Sequence, residues 1–320
     1  MKAVQVSAPG VARVVDVPTP EPASGEVLVH VVAAAICSTD LKLIARGADP
    51  VRVPGHEIAG TLSDGTAVGV HPDIGCGQCR WCRAGFTNRC PRRVSVGLDR
   101  DGGFAEVVVV PAEHAVPIKD IDVEIAPLLE PLACCVHAVE LTPAERGEPA
   151  LVVGAGPMGV LCTWTLQAVG ARVAMCQRSV ERRTIAEKLG ADVVLGPEED
   201  PSDLLGQEPR TAIVTAPGGD ALEWAARHVA VGGLVHVFAG SPQGAPIDGN
   251  IIHYRHLDLV GSTGSTLRDY RRAIQLVRDR AVDLHALPRE SLSLDAVPHV
   301  LGARSKGLLK QMVRVGEEMA

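Results

Sequence analysis

Four cysteines, Cys76, Cys79, Cys82 and Cys90, stand in a C-x2-C-x2-C pattern closed by a fourth thiol after seven further residues. Thiolates at this spacing can converge on a single ion, and a tetrahedral four-sulfur shell is the arrangement zinc takes in structural sites. Gly75, Gly77 and Gly85 are expected to supply the unusual backbone angles that a loop folding back on one ion needs. Such a closed shell leaves no open coordination position, so this site is expected to hold structure and perform no chemistry. Two disulfides are the competing use of the same sulfurs, and they belong to an oxidising compartment.

A second set of metal-philic residues is more dispersed. Cys37 and His56 offer a thiolate and a neutral imidazole, the softer donors that zinc prefers. Either one alone is also an ordinary buried thiol or a hydrogen-bonded histidine. Glu130 precedes Pro131 at the mouth of an apolar helical run, 131–139, where a carboxylate serves the helix dipole or acts as a third ligand.

The segment from Ala150 to Gly159 reads as a buried strand running into G-x-G-x-x-G and a helix through Val169. The glycines Gly154, Gly156 and Gly159, with Pro157 and Met158 between them, are placed for a tight turn, backbone approach to a pyrophosphate and close helix-on-strand packing. With a further strand at Ala171 to Cys176, the pattern points to a dinucleotide site. An acidic residue at the end of that second strand would bind the ribose hydroxyls of NAD, but this chain has Gln177-Arg178-Ser179 there. With no carboxylate to repel a 2′-phosphate, and with Arg178, Arg182 and Arg183 available to pair with it, NADP is favoured over NAD. The alternative for these arginines is a solvated helix face. Thr215, closing the strand 212–215, joins the cofactor-binding candidates.

The elements that must position these residues divide the chain in two. Residues 1 to 115 read as short β runs, such as 27–32 and 107–110, bounded by Gly, Pro and Asp. From the glycine loop onward, strands near 212–215, 233–238 and 257–262 alternate with helices near 221–229 and 269–280, the signature of a parallel, doubly wound sheet. A last strand, 310–315, is placed to return to the first domain. With 320 residues the chain can build two cores. The net charge of −7 and an aromatic content of 2% argue against a nucleic-acid surface and leave an aliphatic core. The uncharged run 149–171 has the length of a membrane span, yet its glycines and proline suit strand, turn and helix better. Met1-Lys2-Ala3-Val4 opens directly into a strand-like pattern with no basic-apolar-small order, so a cytoplasmic protein is expected.

Taken together, Cys37-Ser38-Thr39-Asp40, Gly55-His56-Glu57, the four-cysteine lobe, Glu130-Pro131-Leu132 and Gly154 to Gly159 resemble the zinc-dependent medium-chain alcohol dehydrogenase family over essentially the whole chain. The resemblance implies an α/β protein: a GroES-like β-rich catalytic domain over 1–131 and 270–320, carrying the zinc lobe at about 72–92, and a Rossmann domain over 132–269. It implies that Cys37, His56 and Glu130 hold a catalytic zinc, with Glu57 coordinating in some states or tuning the site from nearby, and that Cys76, Cys79, Cys82 and Cys90 hold a structural one, two zincs per chain. An open position on the catalytic metal makes it a Lewis acid that lowers the pKa of an alcohol, so that the alkoxide expels hydride toward the nicotinamide. Thr39 stands where the family begins its proton relay. Lys42 stands where that relay often continues to a histidine, and it either binds cofactor ribose, shuttles a proton or is simply solvated.

The segments 250–255 and 261–265 are most similar to the polyol, sugar and aminocyclitol branch, including dehydrogenases of antibiotic biosynthesis. The connection from Cys37 to His56 is shorter than is usual in the family, which leaves the substrate side more open. The expected activity is hydride transfer between NADP(H) and the secondary alcohol or ketone of a polar, polyol-like small molecule, in a homodimer or homotetramer. An NAD-dependent dehydrogenase of a simpler alcohol and a catalytically silent nicotinamide sensor are the alternatives.

Overall fold

The computed structural model describes residues 1–142, 144, 146–300 and 309–315. Contacts divide them into one unit of 1–133, 265–278 and the segment from 288 onward, and a second of 134–264 and 279–287.

The first unit is built on a long strand, Glu26–Ile36, whose apolar and small residues allow sheet partners on both sides. Lys310–Arg314 runs antiparallel to its C-terminal half, with Gln311 opposite Ile36. Glu57–Thr61 pairs with its other edge through a bulge between Val31 and Ala33, and Val107–Pro111 pairs with its N-terminal half. Ala67–Val70, Ala115–Pro117 and Arg289–Ser293 complete the seven-stranded sheet. Val29, Val31, Ile58, Val68, Val70, Val108 and Val110 fill one apolar cluster, the β-branched composition that favours pleated packing.

The second unit is a six-stranded sheet in which every pairing is parallel. Counted along the chain from Pro149–Val153, its strands lie in the order 3-2-1-4-5-6, the arrangement of dinucleotide-binding doubly wound folds. The uncharged run 149–171 resolves into the strand Pro149–Val153, the glycine turn and the helix Pro157–Ala168. Among the described residues no helix is long and apolar enough to cross a membrane.

Two helix starts differ from the sequence expectation, each for a local reason. The helix expected from Pro131 spans Leu129–Glu140, because a 3-10 turn, Ala126–Leu128, feeds directly into it. Pro131 is tolerated in the first turn, where its missing N–H has no intrahelical acceptor. The helix expected from Asp269 spans Leu267–Arg278. Thr266 caps it: its Oγ1 accepts the Asp269 N–H at 3.3 Å, while Asp269 Oδ2 accepts the Thr266 N–H at 2.8 Å, a reciprocal capping box.

Candidate active site and metal centres

Cys37 follows the strand Glu26–Ile36 and caps the helix Ser38–Arg46. The fourth residue of that turn, Asp40, is fully buried, and its carboxylate reaches both candidate ligand segments. Oδ2 accepts the backbone N–H of Cys37 at 2.8 Å. Oδ1 accepts the N–H of Gly55 at 3.2 Å and lies 3.1 Å from Nδ1 of His56. With Nδ1–H donated to Asp40, the lone pair of His56 sits on Nε2, the tautomer a metal requires. Burial pulls the imidazole pKa down, but the charges of Asp40 and Cys37 outweigh it and the net direction is well up. A metal ion therefore competes with a proton for that nitrogen.

Donor atoms of Cys37, His56 and Glu57 lie within 4.8 Å of one another. Glu57 is buried; its Oε1 is 2.5 Å from Nζ of Lys310, and its Oε2 has no hydrogen-bond partner. A thiolate, an imidazole and an orphaned carboxylate oxygen form a donor set that suits zinc. Burial lowers the pKa of Lys310, yet the charges of Glu57 and Cys37 raise it further than burial lowers it. Lys310 was absent from the residues singled out in the sequence. Its local signal is a cation at the head of the terminal strand Lys310–Arg314, which carries a second one, Arg314, at its far end.

Glu130, the second residue of its helix, is buried but is not a member of the compact group around Cys37. It is near enough for its charge to raise the pKa of Lys310, and that of the buried Tyr270 phenol, whose own burial is the larger cause. Thr39 is half-buried, its hydroxyl 3.6 Å from the Cys37 sulfur. Lys42 is exposed on the same helix.

The sulfurs of Cys76, Cys79, Cys82 and Cys90 also lie within 4.8 Å of one another, and those of Cys79 and Cys82 are 3.5 Å apart. A zinc tetrahedron with bonds of about 2.3 Å has sulfur–sulfur edges of about 3.8 Å, so the cluster fits that ion. All nine cysteines are free thiols. The loop is built by the paired strands Asp73–Ile74 and Val94–Ser95, the helix Arg80–Arg83 and the 3-10 turn Thr87–Arg89. Gly77 and Gly85 have φ of 71° and 83° as expected, but Gly75 does not have a positive φ. The reason for glycine at 75 is space, since a Cβ there would sit 2.9 Å from the Cys82 sulfur.

In the second unit, Gly154 takes φ 109° directly after the strand Pro149–Val153, and Gly156 caps the helix Pro157–Ala168. A Cβ on Gly159 would overlap the carbonyl of Gly154, whereas a Cβ on Gly156 would meet nothing within 4 Å. One glycine thus permits packing, and the other leaves open space at the helix N-terminus, the cradle a pyrophosphate needs. Met158 follows Pro157 in the first turn of that helix. Thr215 braces the turn, its hydroxyl 3.0 Å from the Val153 carbonyl and 3.2 Å from that of Gly154.

At the end of the next strand, the Gln177 side chain accepts the Ser179 N–H at 3.4 Å. Ser179 caps the following helix by accepting the Arg182 N–H at 3.4 Å. Arg178 is exposed. Arg183 is committed elsewhere, 3.2 Å from Glu198 and 3.8 Å from Glu199.

An alternating-sheet unit with a Cys-His-Glu cluster, a tetrathiolate lobe and a dinucleotide fold define a zinc-type nicotinamide oxidoreductase. Comparison with known proteins agrees. The family profile described as the alcohol dehydrogenase GroES-like domain matches residues 23–120, and that described as zinc-binding dehydrogenase matches residues 157–279. L-threonine 3-dehydrogenase of Thermococcus kodakarensis is 35% identical over 295 residues, 83% of each chain. D-altritol 5-dehydrogenase of Agrobacterium fabrum is 38% identical over 218 residues, 62% of this chain and 65% of the relative. The crystal structure of a zinc-binding dehydrogenase from Sinorhizobium meliloti 1021 bound to NADP superposes with a TM-score of 0.91 at 31% identity, covering 98% of both chains. The chain belongs to the zinc-dependent medium-chain alcohol and polyol dehydrogenase family.

Proposed function

We propose that this protein transfers a hydride between NADP(H) and the secondary alcohol or ketone of a polyol, sugar or aminocyclitol-like substrate. The observation that carries the reading is the Asp40-backed cluster of Cys37, His56 and Glu57 in a family of alcohol and polyol dehydrogenases.

Cys37 and His56 would hold the catalytic zinc, with Glu57 or Glu130 as the carboxylate ligand, and Cys76, Cys79, Cys82 and Cys90 would hold a second, structural zinc. The catalytic ion would supply a Lewis acid at the substrate oxygen. Asp40 fixes the ring and tautomer of His56 and ties the Cys37 turn to the Gly55 segment, so the two donors keep their separation as ligands exchange. Lys310 holds one oxygen of Glu57, which leaves the other as the available donor. Thr39, whose hydroxyl is 3.6 Å from the Cys37 sulfur, would begin the relay of the alcohol proton. Lys42, exposed on the same helix, would continue that relay or bind the cofactor ribose.

The glycine turn, with Pro157, Met158 and Thr215 around it, would receive the pyrophosphate. Gln177, Arg178, Ser179 and Arg182 would face the adenosine ribose, and Arg178 and Arg182 would pair with its 2′-phosphate. The missing acid after Cys176 and the NADP-bound neighbour support NADP. The engagement of Arg183 by Glu198 and Glu199 leaves it a supporting role. A polyol substrate is supported by D-altritol 5-dehydrogenase, and an adjacent amino group by L-threonine 3-dehydrogenase. A homodimer or homotetramer working in the cytoplasm is the expected assembly.

The test is a titration of zinc-loaded protein with NADP or NAD and a panel of polyols, amino alcohols and aminocyclitols, followed by reduced-nicotinamide absorbance. Turnover with a polyol, preferring NADP, is expected, and Arg178→Ala should weaken NADP more than NAD. Cofactor binding without turnover across the panel would instead identify a sensor.

A further inference from the structure

The four sulfurs of the lobe do not share one environment. Nη2 of Arg92 lies 3.2 Å from Sγ of Cys76, and the backbone N–H of the same residue donates to Sγ of Cys90 at 3.3 Å. Arg92 therefore bridges the first and the last thiol of the cluster. Other backbone donors also reach the sulfurs: Cys76 N on Cys90 and Cys82 N on Cys79, each at 3.5 Å, and the N–H groups of Gln78 and Cys79 on Cys76. The adjacent arginine turns elsewhere, with Nη1 of Arg93 3.4 Å from both Asp73 Oδ2 and the Asn88 carbonyl. Arg80 and Arg89 lie over the ring of Trp81 at 4.6 and 5.5 Å.

Four thiolates around one divalent ion carry excess negative charge, and it is the thiolate form of sulfur that attacks electrophiles. A guanidinium N–H directed at a thiolate is a charge-assisted hydrogen bond; it withdraws lone-pair density and offsets that charge. Because Arg92 is exposed, its ion pairing adds little to folding stability. Its effect falls on the reactivity of the sulfur. Resting on the reading of the lobe as a zinc site, we propose that Arg92 suppresses the nucleophilicity of Cys76 and thereby sets how fast the lobe surrenders its zinc to thiol-directed electrophiles.

The experiment treats the zinc-loaded full chain with iodoacetamide, whose carbon is attacked by the thiolate as iodide leaves. Alkylation of Cys76 is followed by peptide mapping, and released zinc by a colorimetric chelator. Arg92→Ala should accelerate both processes about tenfold, the lower end of what losing an outer-shell partner usually costs, and Arg92→Lys should accelerate them less. Arg83→Ala removes the same charge from an exposed position of the lobe helix and should leave both rates as in the wild type. Equal rates in Arg92→Ala and wild type overturn the assignment, as does equal acceleration by Arg83→Ala. Metal analysis of Cys76→Ser tests the lobe separately. If that variant keeps its full zinc content, the lobe reading and the role of Arg92 fall together. If it loses one zinc while Arg92→Ala alkylates at the wild-type rate, only the role of Arg92 falls.

Discussion

The ammonium nitrogen of Lys310 lies 2.5 Å from Oε1 of Glu57, and both side chains are buried in the unit that carries Cys37 and His56. Two residues separated by 253 positions thus share one buried charge pair. Removing one member of such a pair strands the other, at about 3–5 kcal/mol. Lys310→Met should therefore lower the unfolding free energy by that order, measured by urea denaturation. Glu57→Gln combined with Lys310→Met should recover most of the loss. A single variant as stable as the wild type would show that the pair does not persist in solution.

Asp40 touches His56 and both backbone segments that present the candidate ligands. Asp40→Asn keeps the size of the side chain but replaces an acceptor-only carboxylate. Zinc affinity at the Cys37 site should fall about 10- to 100-fold, while the four-cysteine lobe keeps its metal. Competition titration with a chelator of known affinity, read alongside total zinc, resolves the two sites; an unchanged affinity would remove Asp40 from the metal centre.

The glycine turn offers two substitutions with opposite outcomes. Gly156→Ala adds a methyl into open space, so stability should move by no more than about 0.5 kcal/mol while NADPH binding weakens at the helix N-terminus. Gly159→Ala drives a methyl into the Gly154 carbonyl and should cost about 1–3 kcal/mol in stability. Thermal melts with and without NADPH separate the two effects. Undiminished binding by Gly156→Ala would place the pyrophosphate elsewhere.

Three buried imidazoles make stability depend on pH. Burial, the largest cause in each case, lowers His71 and His236 to about 4, and lowers His114 as well. The carbonyl contacts of His71 and His114 push the other way, but burial outweighs them. His71 Nε2 meets the Ser265 carbonyl at 3.1 Å, His114 Nδ1 the His71 carbonyl at 2.9 Å, and His236 lies between Thr142 and Ser262 at 3.1 and 2.8 Å. Asp73 and Asp269 push His71 upward, and the charge of His137 pushes His236 down. Unfolded histidines titrate near 6.5, so between about pH 6.5 and 4 the unfolded chain binds more protons than the folded one. The contribution of these three imidazoles is complete above that window and falls as pH drops through it, by roughly 3 kcal/mol for His236 alone. Urea midpoints measured from pH 7 to 4 should decline, and His236→Gln should flatten the slope. A flat wild-type profile over that range would contradict the neutral assignment.

Motifs whose parts lie close in the chain were legible before the fold was known. The tetrathiolate spacing, the glycine turn and the alternating strands and helices all encode local geometry, and the sulfurs of Cys76 to Cys90 and the 3-2-1-4-5-6 sheet correspond to them. Asp40 was visible beside Cys37, but its tie to His56 depends on how the chain returns from residue 46 to 55. Lys310 reaches the site only through the antiparallel pairing of Lys310–Arg314 with Glu26–Ile36, and pattern alone does not specify such long-range register. The helix Leu129–Glu140 starts two residues before the expected Pro131, which makes Glu130 its second residue and not its cap. The arginines read as one group from sequence differ in their partners: Arg183 pairs with Glu198 and Glu199, while Arg178 is exposed.

The role assigned to Cys37 is membership of the metal centre that performs hydride transfer. It is tested most directly by measuring NADPH formation by Cys37→Ser with the best polyol substrate, alongside zinc content and NADPH binding. Turnover should be abolished and one zinc per chain lost, while NADPH binding and the thermal midpoint stay close to wild type. Turnover at the wild-type rate in the Cys37→Ser protein would contradict it.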